Sequence, residues 1–267
     1  MTSYFGTVYR ILRWPVKSLR GEELREARLD DRGLAGDRAY ALVDERENHA
    51  GKVLSARRRV ETLHWRATYG SPESGPQENA SPESGLPESG LHGNGFRGDG
   101  DAPTLTGPDG TTWHWDAPGL ADALAESLGR VSLRAADGQQ DRGPTVLVTF
   151  EASLAALGDE LGRPVDLLRF RPNLHLTTDA PAFDEEGWAP GTTVTAGEAE
   201  LTVTGEQAGP CVRCVVPSWD PEGRERWPDL QKWLIGEHEN KFGVIMRVTR
   251  PGTVRLGDRA TATPVRP

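Results

Sequence analysis

The sequence predicts a mainly β protein built from two barrel-like domains with a few peripheral helices. Its 267 residues exceed the usual size of a single domain. Short β-prone segments recur along the chain between turns rich in Gly and Pro. Helical periodicity is confined to residues 118–128, 153–161 and 228–236.

In the first half, Gly6 to Leu12, Arg25 to Leu29, Arg38 to Asp44 and Val60 to Tyr69 carry alternating or β-rich apolar positions and read as strands of an antiparallel barrel or sandwich. Residues 71–92 repeat Pro-Glu-Ser-Gly three times. That composition has too little apolar surface to offset ordering entropy, so it reads as a flexible insertion between two strands. Thr104 to Asp116 reads as a hairpin around the turn Gly107-Pro108-Asp109-Gly110. Pro118 to Leu128 follows as a helix, opened by its Pro, closed by Gly129, with Leu120, Leu124 and Leu128 on one stripe. The polar, turn-rich stretch 135–144 marks a boundary, giving domains over 1–136 and 137–267.

The second half opens with a strand at Thr145 to Thr149 and a helix from Ser153 to Leu161, with Glu151 just ahead of its first turn. Strands follow at Leu167 to Phe170, Asn173 to Thr177, Thr192 to Thr195, Ala199 to Thr204, Gly243 to Val248 and Gly252 to Arg255. The third helix, Pro228 to Gly236, turns Leu230, Trp233 and Leu234 inward.

Composition narrows the functional classes. Forty acidic residues against 31 basic ones leave a net charge of −9, which disfavours nucleic-acid binding but allows a local basic pocket for a small phosphate. No apolar run approaches a membrane span and the first residues lack a signal-peptide segment, so the expected compartment is the cytoplasm, with no membrane partner.

The only two cysteines are Cys211 and Cys214. A structural zinc site needs four ligands and no second pair completes this one. A thioredoxin-like pair would open a helix, whereas Pro217 and the Asp220-Pro221 turn oppose one here. The pair therefore reads either as small buried apolar residues or as chemistry of another kind. Two basic clusters bear on that choice. Lys17 and Ser18 join an ammonium to a hydroxyl after Pro15, a pair suited to an oxyanion. In an extended segment Arg169, Arg171 and Asn173 would point to one side as a clamp for an anion and a heterocycle. Ordinary surface charge is the alternative for either cluster.

Taken in order, WPVKS at 14–18, GLAGDRAYALVD at 33–44 with SAR at 55–57, FEASL at 150–154, RFRPN at 169–173 and CVRC at 211–214 followed by VVPSWDPEG resemble the MOSC proteins (molybdenum cofactor sulfurase C-terminal). The arrangement resembles that with an N-terminal MOSC β-barrel domain, as in the mitochondrial amidoxime reducing components and their bacterial relatives. The resemblance covers nearly the whole chain apart from the Pro-Glu-Ser-Gly insertion. It implies a molybdenum–molybdopterin cofactor whose phosphate and pterin are held by Lys17, Ser18, Arg38, Arg171 and Asn173, with Cys214 as metal ligand and catalytic residue. Thr149 falls where a phosphate-contacting hydroxyl is expected, whereas Phe150 stands where the family commonly has a small polar residue. Cys211 receives no role. Pyridoxal-phosphate binding is also associated with the family, because cofactor sulfurases carry such a half; it is absent from this chain.

What the resemblance implies is an oxidoreductase that reduces small N-hydroxylated substrates. No ferredoxin-type cysteine spacing is present, so electrons would come from separate proteins, a ferredoxin- or flavin-type reductase. The alternative is a sulfur carrier holding a cysteine persulfide for sulfuration of a metal cofactor.

Overall fold

The computed structural model describes residues 2–70, 102–141 and 143–267; the expected insertion at 71–92 lies outside them. The protein is mostly β, with three α-helices among the described residues. None of those helices is long and apolar enough to cross a membrane.

The centre is a closed seven-stranded barrel made of β1 (Tyr4–Arg13), β11 (Val146–Phe150), β12 (Leu174–Thr178), β13 (Thr193–Ala196), β14 (Ala199–Thr202), β16 (Lys241–Arg250) and β18 (Arg259–Thr263). Around the ring the order is β11-β12-β1-β18-β13-β14-β16, and β16 pairs back onto β11 to close it. Only β11–β12 is parallel in this ring. Alternation sends Val8, Val146, Val148, Leu174, Leu176, Val194, Leu201, Val244 and Met246 into the interior, where each contributes about 1.5–3 kcal/mol of burial. The first strand of the sequence is thus a stave of the barrel formed by the second half. Gly6 permits this: a Cβ there would lie 1.6 Å from the Thr177 carbonyl oxygen.

The rest of the first half packs beside the barrel. Here β2 (Glu22–Leu24) pairs with β1, and β3 (Glu26–Asp30) with β4 (Gly33–Leu34) and with β17 (Gly252–Arg255) from the far end of the chain. β5 (Tyr40–Asp44) lies between β6 (Lys52–Val53) and β10 (Val131–Ala135), and β7 (Arg66–Thr68), β8 (Thr104–Thr106) and β9 (Thr112–His114) form a third small sheet. The expected insertion thus interrupts a paired β7–β8 hairpin. The expected Gly107–Gly110 turn joins β8 to β9. α1 (Leu120–Leu128) buries the foreseen Leu120, Leu124 and Leu128 against Leu42, Trp65 and Leu105. It begins at Leu120 because Gly119, at φ 93°, is outside helical geometry.

α2 (Glu151–Glu160) and α3 (Pro228–Glu237) match the other two periodic segments within a few residues. Several strand expectations are corrected. Val60–His64 is a 3₁₀ turn that buries Leu63, and only Arg66–Thr68 is extended. Leu167–Arg169 is also a 3₁₀ turn, because the Asp166 carboxylate accepts the Leu168 N–H at 2.8 Å and nucleates a tight bend. The strand expected from Arg38 starts at Tyr40, since Arg38 has φ 50°. Conversely, Gly209-Pro210, a pair with the composition of a turn, opens strand β15 (Gly209–Val212) on β16. It is an edge strand, so Pro210 removes no ladder donor that a further strand would need.

Candidate functional site

Trp14-Pro15-Val16-Lys17-Ser18 leaves β1 as a tight turn pinned to the start of β5: Lys17 N–H donates to the Tyr40 carbonyl at 2.8 Å and Tyr40 N–H to Pro15 at 3.1 Å. Ser18 has φ 72°. Beneath the turn the buried Asp37 carboxylate accepts Trp14 N–H at 2.9 Å and the Gln139 amide at 3.0 Å, and it forms an ion pair with Arg38. Arg38 N–H donates to the Trp14 carbonyl at 2.7 Å, and its guanidinium also reaches the Arg171 carbonyl at 3.3 Å. One buried carboxylate therefore orients the Lys17 turn, Arg38 and the segment 135–144 together.

The 3₁₀ turn after α2 delivers Arg171 at φ 55°. Its guanidinium donates to the Leu19 carbonyl at 2.7 Å and lies over the Trp14 ring at 4.2 Å. Burial, and then the neighbouring Arg38, push its pKa down to about 9. It is still protonated at neutral pH, and an incoming anion would offset the strain of that buried charge. Asn173 splices three strands, its amide oxygen accepting Leu147 N–H at 3.1 Å and its amide nitrogen donating to the Leu12 carbonyl at 3.3 Å.

The cysteines separate cleanly. Cys211 is fully buried on β15, and Arg213 donates to its sulfur at 3.0 Å and to the Phe170 carbonyl at 2.6 Å. Cys214, just past the strand end, is half-buried and packs beside Ala56, Leu63 and Val216. Both are free thiols.

Lys17, Ser18, Arg38, Arg171, Asn173 and Cys214 all line one cavity of about 650 Å³. The expected same-side display of Arg169, Arg171 and Asn173 along a strand is replaced by a bend: Arg169 faces the cavity too, yet its guanidinium donates to the Pro217 carbonyl at 3.3 Å. Thr149 does not reach the cavity. Its fully buried hydroxyl is engaged with His175 Nδ1 at 2.9 Å, and His175 Nε2 meets the Glu151 carboxylate at 2.7 Å. Thr145 and Leu147, nearer the start of β11, line the cavity instead. Phe150 is buried in the barrel against Trp188, which accounts for a large apolar residue there.

Sequence reading missed four further features of this wall: Arg57, Arg58, Arg213 and the carboxylate of Asp141. Asp141 is the sole acid among the described lining residues, set 3.1 Å from Lys17 Nζ and 3.8 Å from Arg38 Nε. Seven cations against one carboxylate make a basic cavity in an acidic protein. Among the described residues no group of three His, Cys, Asp or Glu could hold a metal ion. A metal at Cys214 would therefore bring its other donors with it, as a pterin dithiolate does. An anionic cofactor with its own sulfur ligands fits this donor set: cations for the phosphate and one accessible thiol.

Two relatives are the mitochondrial amidoxime reducing component 2 of Bos taurus, 26% identical over 126 residues, and component 1 of Mus musculus, 28% identical over 125 residues. Each match covers 42% of this chain and about a third, 35% and 34%, of the relative's own length. Among solved structures, the YUAD protein from Bacillus subtilis aligns over 99% of this chain and 98% of its own at 11% identity with a TM-score of 0.47. The MOSC N-terminal beta barrel domain family matches residues 5–76 and the MOSC domain family residues 138–261, so the chain is a MOSC-domain protein with an N-terminal MOSC β-barrel domain.

Proposed function

We propose that this MOSC protein is a molybdenum-cofactor-dependent oxidoreductase that removes oxygen from small N-hydroxylated compounds such as amidoximes. The observation that supports it most is the convergence of Lys17, Ser18 and Arg38 from one half of the sequence with Arg171, Asn173 and Cys214 from the other around a single basic cavity. When bound, the cofactor supplies two-electron redox chemistry at a metal. The chain's own part is to hold and orient it. Lys17, the Ser18 hydroxyl, Arg38 and Arg171 would hold its phosphate and pterin, and the Cys214 thiolate would be the protein's soft ligand. Asn173 acts mainly through the backbone it braces. Arg213, by binding Cys211 and the Phe170 carbonyl, ties the cysteine segment to the Arg171 segment and is a positioning residue.

Reduction of an N–OH group to N–H consumes two electrons and two protons and releases water. The electrons would come from a separate redox protein, since only Cys214 reaches the cavity and no cysteine cluster exists to hold an iron–sulfur centre.

The test is molybdenum per chain and amidoxime reduction in the presence of an electron-donor system. Cys214→Ser replaces a soft thiolate by a hard hydroxyl and should lose both metal and activity while still folding. Cys211→Ser should keep the metal, because its sulfur is sealed beneath Arg213. Equal losses at both positions would end the assignment of Cys214 as sole ligand. Persulfide on a molybdenum-free protein would instead establish the sulfur carrier.

A further inference from the structure

The three consecutive arginines after Ala56 do three different things. Arg59 turns inward and donates to the Leu128 carbonyl at the end of α1 at 3.0 Å. Arg57 and Arg58 are exposed and line the cavity. Neither has an ion-pair partner among the described residues; Arg58 makes one long bond to the Val53 carbonyl at 3.4 Å, and the Arg57 guanidinium makes none. Two adjacent guanidiniums thus face the cavity without a carboxylate partner among the described residues.

Their backbone is fixed. Ser55 holds the turn, its carbonyl accepting the N–H groups of Arg58 and Arg59 at 2.9 Å each and its hydroxyl accepting Arg57 N–H at 3.3 Å. Ala56 is buried in the cluster of Leu63 and Val216 against which Cys214 packs. The turn is thereby seated on the flank of the thiol. The cations assigned to the cofactor phosphate are engaged with carboxylates: Asp37 pairs with Arg38, and Asp141 with Lys17 and Arg38. Arg57 and Arg58 thus add cations to the same cavity wall from a turn whose Ala56 packs in the cluster that Cys214 joins.

We propose that Arg57 and Arg58 are a specificity site for the molecule that enters beside Cys214, so that the preferred ligand is a small organic anion bearing a carboxylate or a phosphate group. As a statement about substrate it rests on the oxidoreductase reading; as a statement about binding it does not. A concave setting favours a small molecule over an acidic partner protein, which needs a broad and accessible face. Two guanidiniums on neighbouring residues suit a planar carboxylate or a phosphate, either of which accepts paired N–H donors. They would also raise the association rate of anions at low ionic strength.

The test uses the purified holoprotein and matched aromatic probes. Calorimetric titration with benzoate, phenyl phosphate and neutral benzamide should show binding of at least one anion that Arg57→Ala/Arg58→Ala weakens about tenfold or more, roughly the worth of one charge-assisted bond. The anion bound more tightly identifies the group recognised. Arg57→Lys/Arg58→Lys should recover part of the affinity, because it keeps charge and loses the fork. In turnover, kcat/KM for 4-carboxybenzamidoxime over that for benzamidoxime should exceed one and fall toward one in the double Ala variant. Equal binding of all three probes by wild type and variant would overturn the proposal. So would a variant that keeps anion binding and only raises the KM for the electron-donor protein, since that would make the turn a docking surface. If anion binding depends on both arginines while no amidoxime is reduced, the oxidoreductase reading fails and this one stands.

Discussion

Ser18, Arg38 and Arg171 share a property that their side-chain chemistry does not announce: φ values of 72°, 50° and 55°, in the left-handed region that L-residues adopt only at a cost. Three of the cavity's proposed binding residues thus occupy backbone positions that glycine would fill more cheaply, and the strain is the expense of aiming them. Ser18→Gly should therefore stabilise the fold relative to Ser18→Ala by about 1 kcal/mol, or about 2–4 °C in Tm, while both lose the hydroxyl and hold the cofactor less well. A thermal scan in which the Gly variant melts at or below the Ala variant would contradict a strained Ser18. At this scale the sequence was informative where chemistry is local. Lys17, Ser18, Arg171 and Asn173 can be picked as basic clusters by residue type, Arg38 and the role of Cys214 are implied only by the resemblance, and all six line the cavity. Thr149 lies off the cavity wall because register along β11 decides which hydroxyl meets His175, and no residue type reports register. Asn173 lines the cavity while its amide also bonds two backbone groups, a bracing role that residue type does not announce.

Among elements, the segment 135–144 was legible as a polar connection but not as part of the site. It contributes Gln139 to Asp37 and places the Asp141 carboxylate between Lys17 and Arg38, where it neutralises charge that a phosphate would otherwise meet. Asp141→Asn should consequently tighten binding of inorganic phosphate to cofactor-free protein by severalfold, since an internal competitor and a like-charge repulsion are both removed. Calorimetric titration at low ionic strength reads this directly, and weaker binding by the Asn variant would show that Asp141 organises the cations more than it competes for them. α1 was readable because a period of four placed Leu120, Leu124 and Leu128 on one face. The turns at 60–64 and 167–169 were not, because short apolar runs fit a strand equally well until a local hydrogen bond, such as Asp166 to Leu168, closes them into 3₁₀ geometry. β15 escaped for the converse reason: Gly209-Pro210 spells a turn, and only its edge position beside β16 makes it a strand.

For the whole molecule, local pattern told that strands dominate but not how they close. β1 lies between β12 and β18, more than 160 residues away in sequence, and that pairing is what carries the Lys17 turn to the mouth of a cavity walled by the second half. The same closure buries an acid. Glu185, 1% exposed in the 3₁₀ turn Asp184–Gly187 packed on β16, accepts a hydrogen bond from the Ser153 hydroxyl of α2 at 2.9 Å. Burial raises its pKa from the ordinary value near 4.5 to about 7. The folded protein therefore keeps a proton that the unfolded chain gives up, and between these values the folded state binds more protons. The stabilisation is full below about pH 4.5 and is lost as pH rises through about 7, amounting to about 3 kcal/mol across the window. Glu185→Gln keeps a neutral hydrogen-bonding side chain of the same shape and has no proton to lose. Urea unfolding at pH 5 and pH 8 should therefore show wild type losing about 2–3 kcal/mol more stability than the Gln variant, because that interval covers most of the window but not its lower end. Contributions from every other titrating group appear in both proteins and cancel in the difference. Identical pH slopes for the two would mean that Glu185 is ionised in the folded state, and that the junction of α2, β16 and the Asp184–Gly187 turn accommodates a buried carboxylate charge.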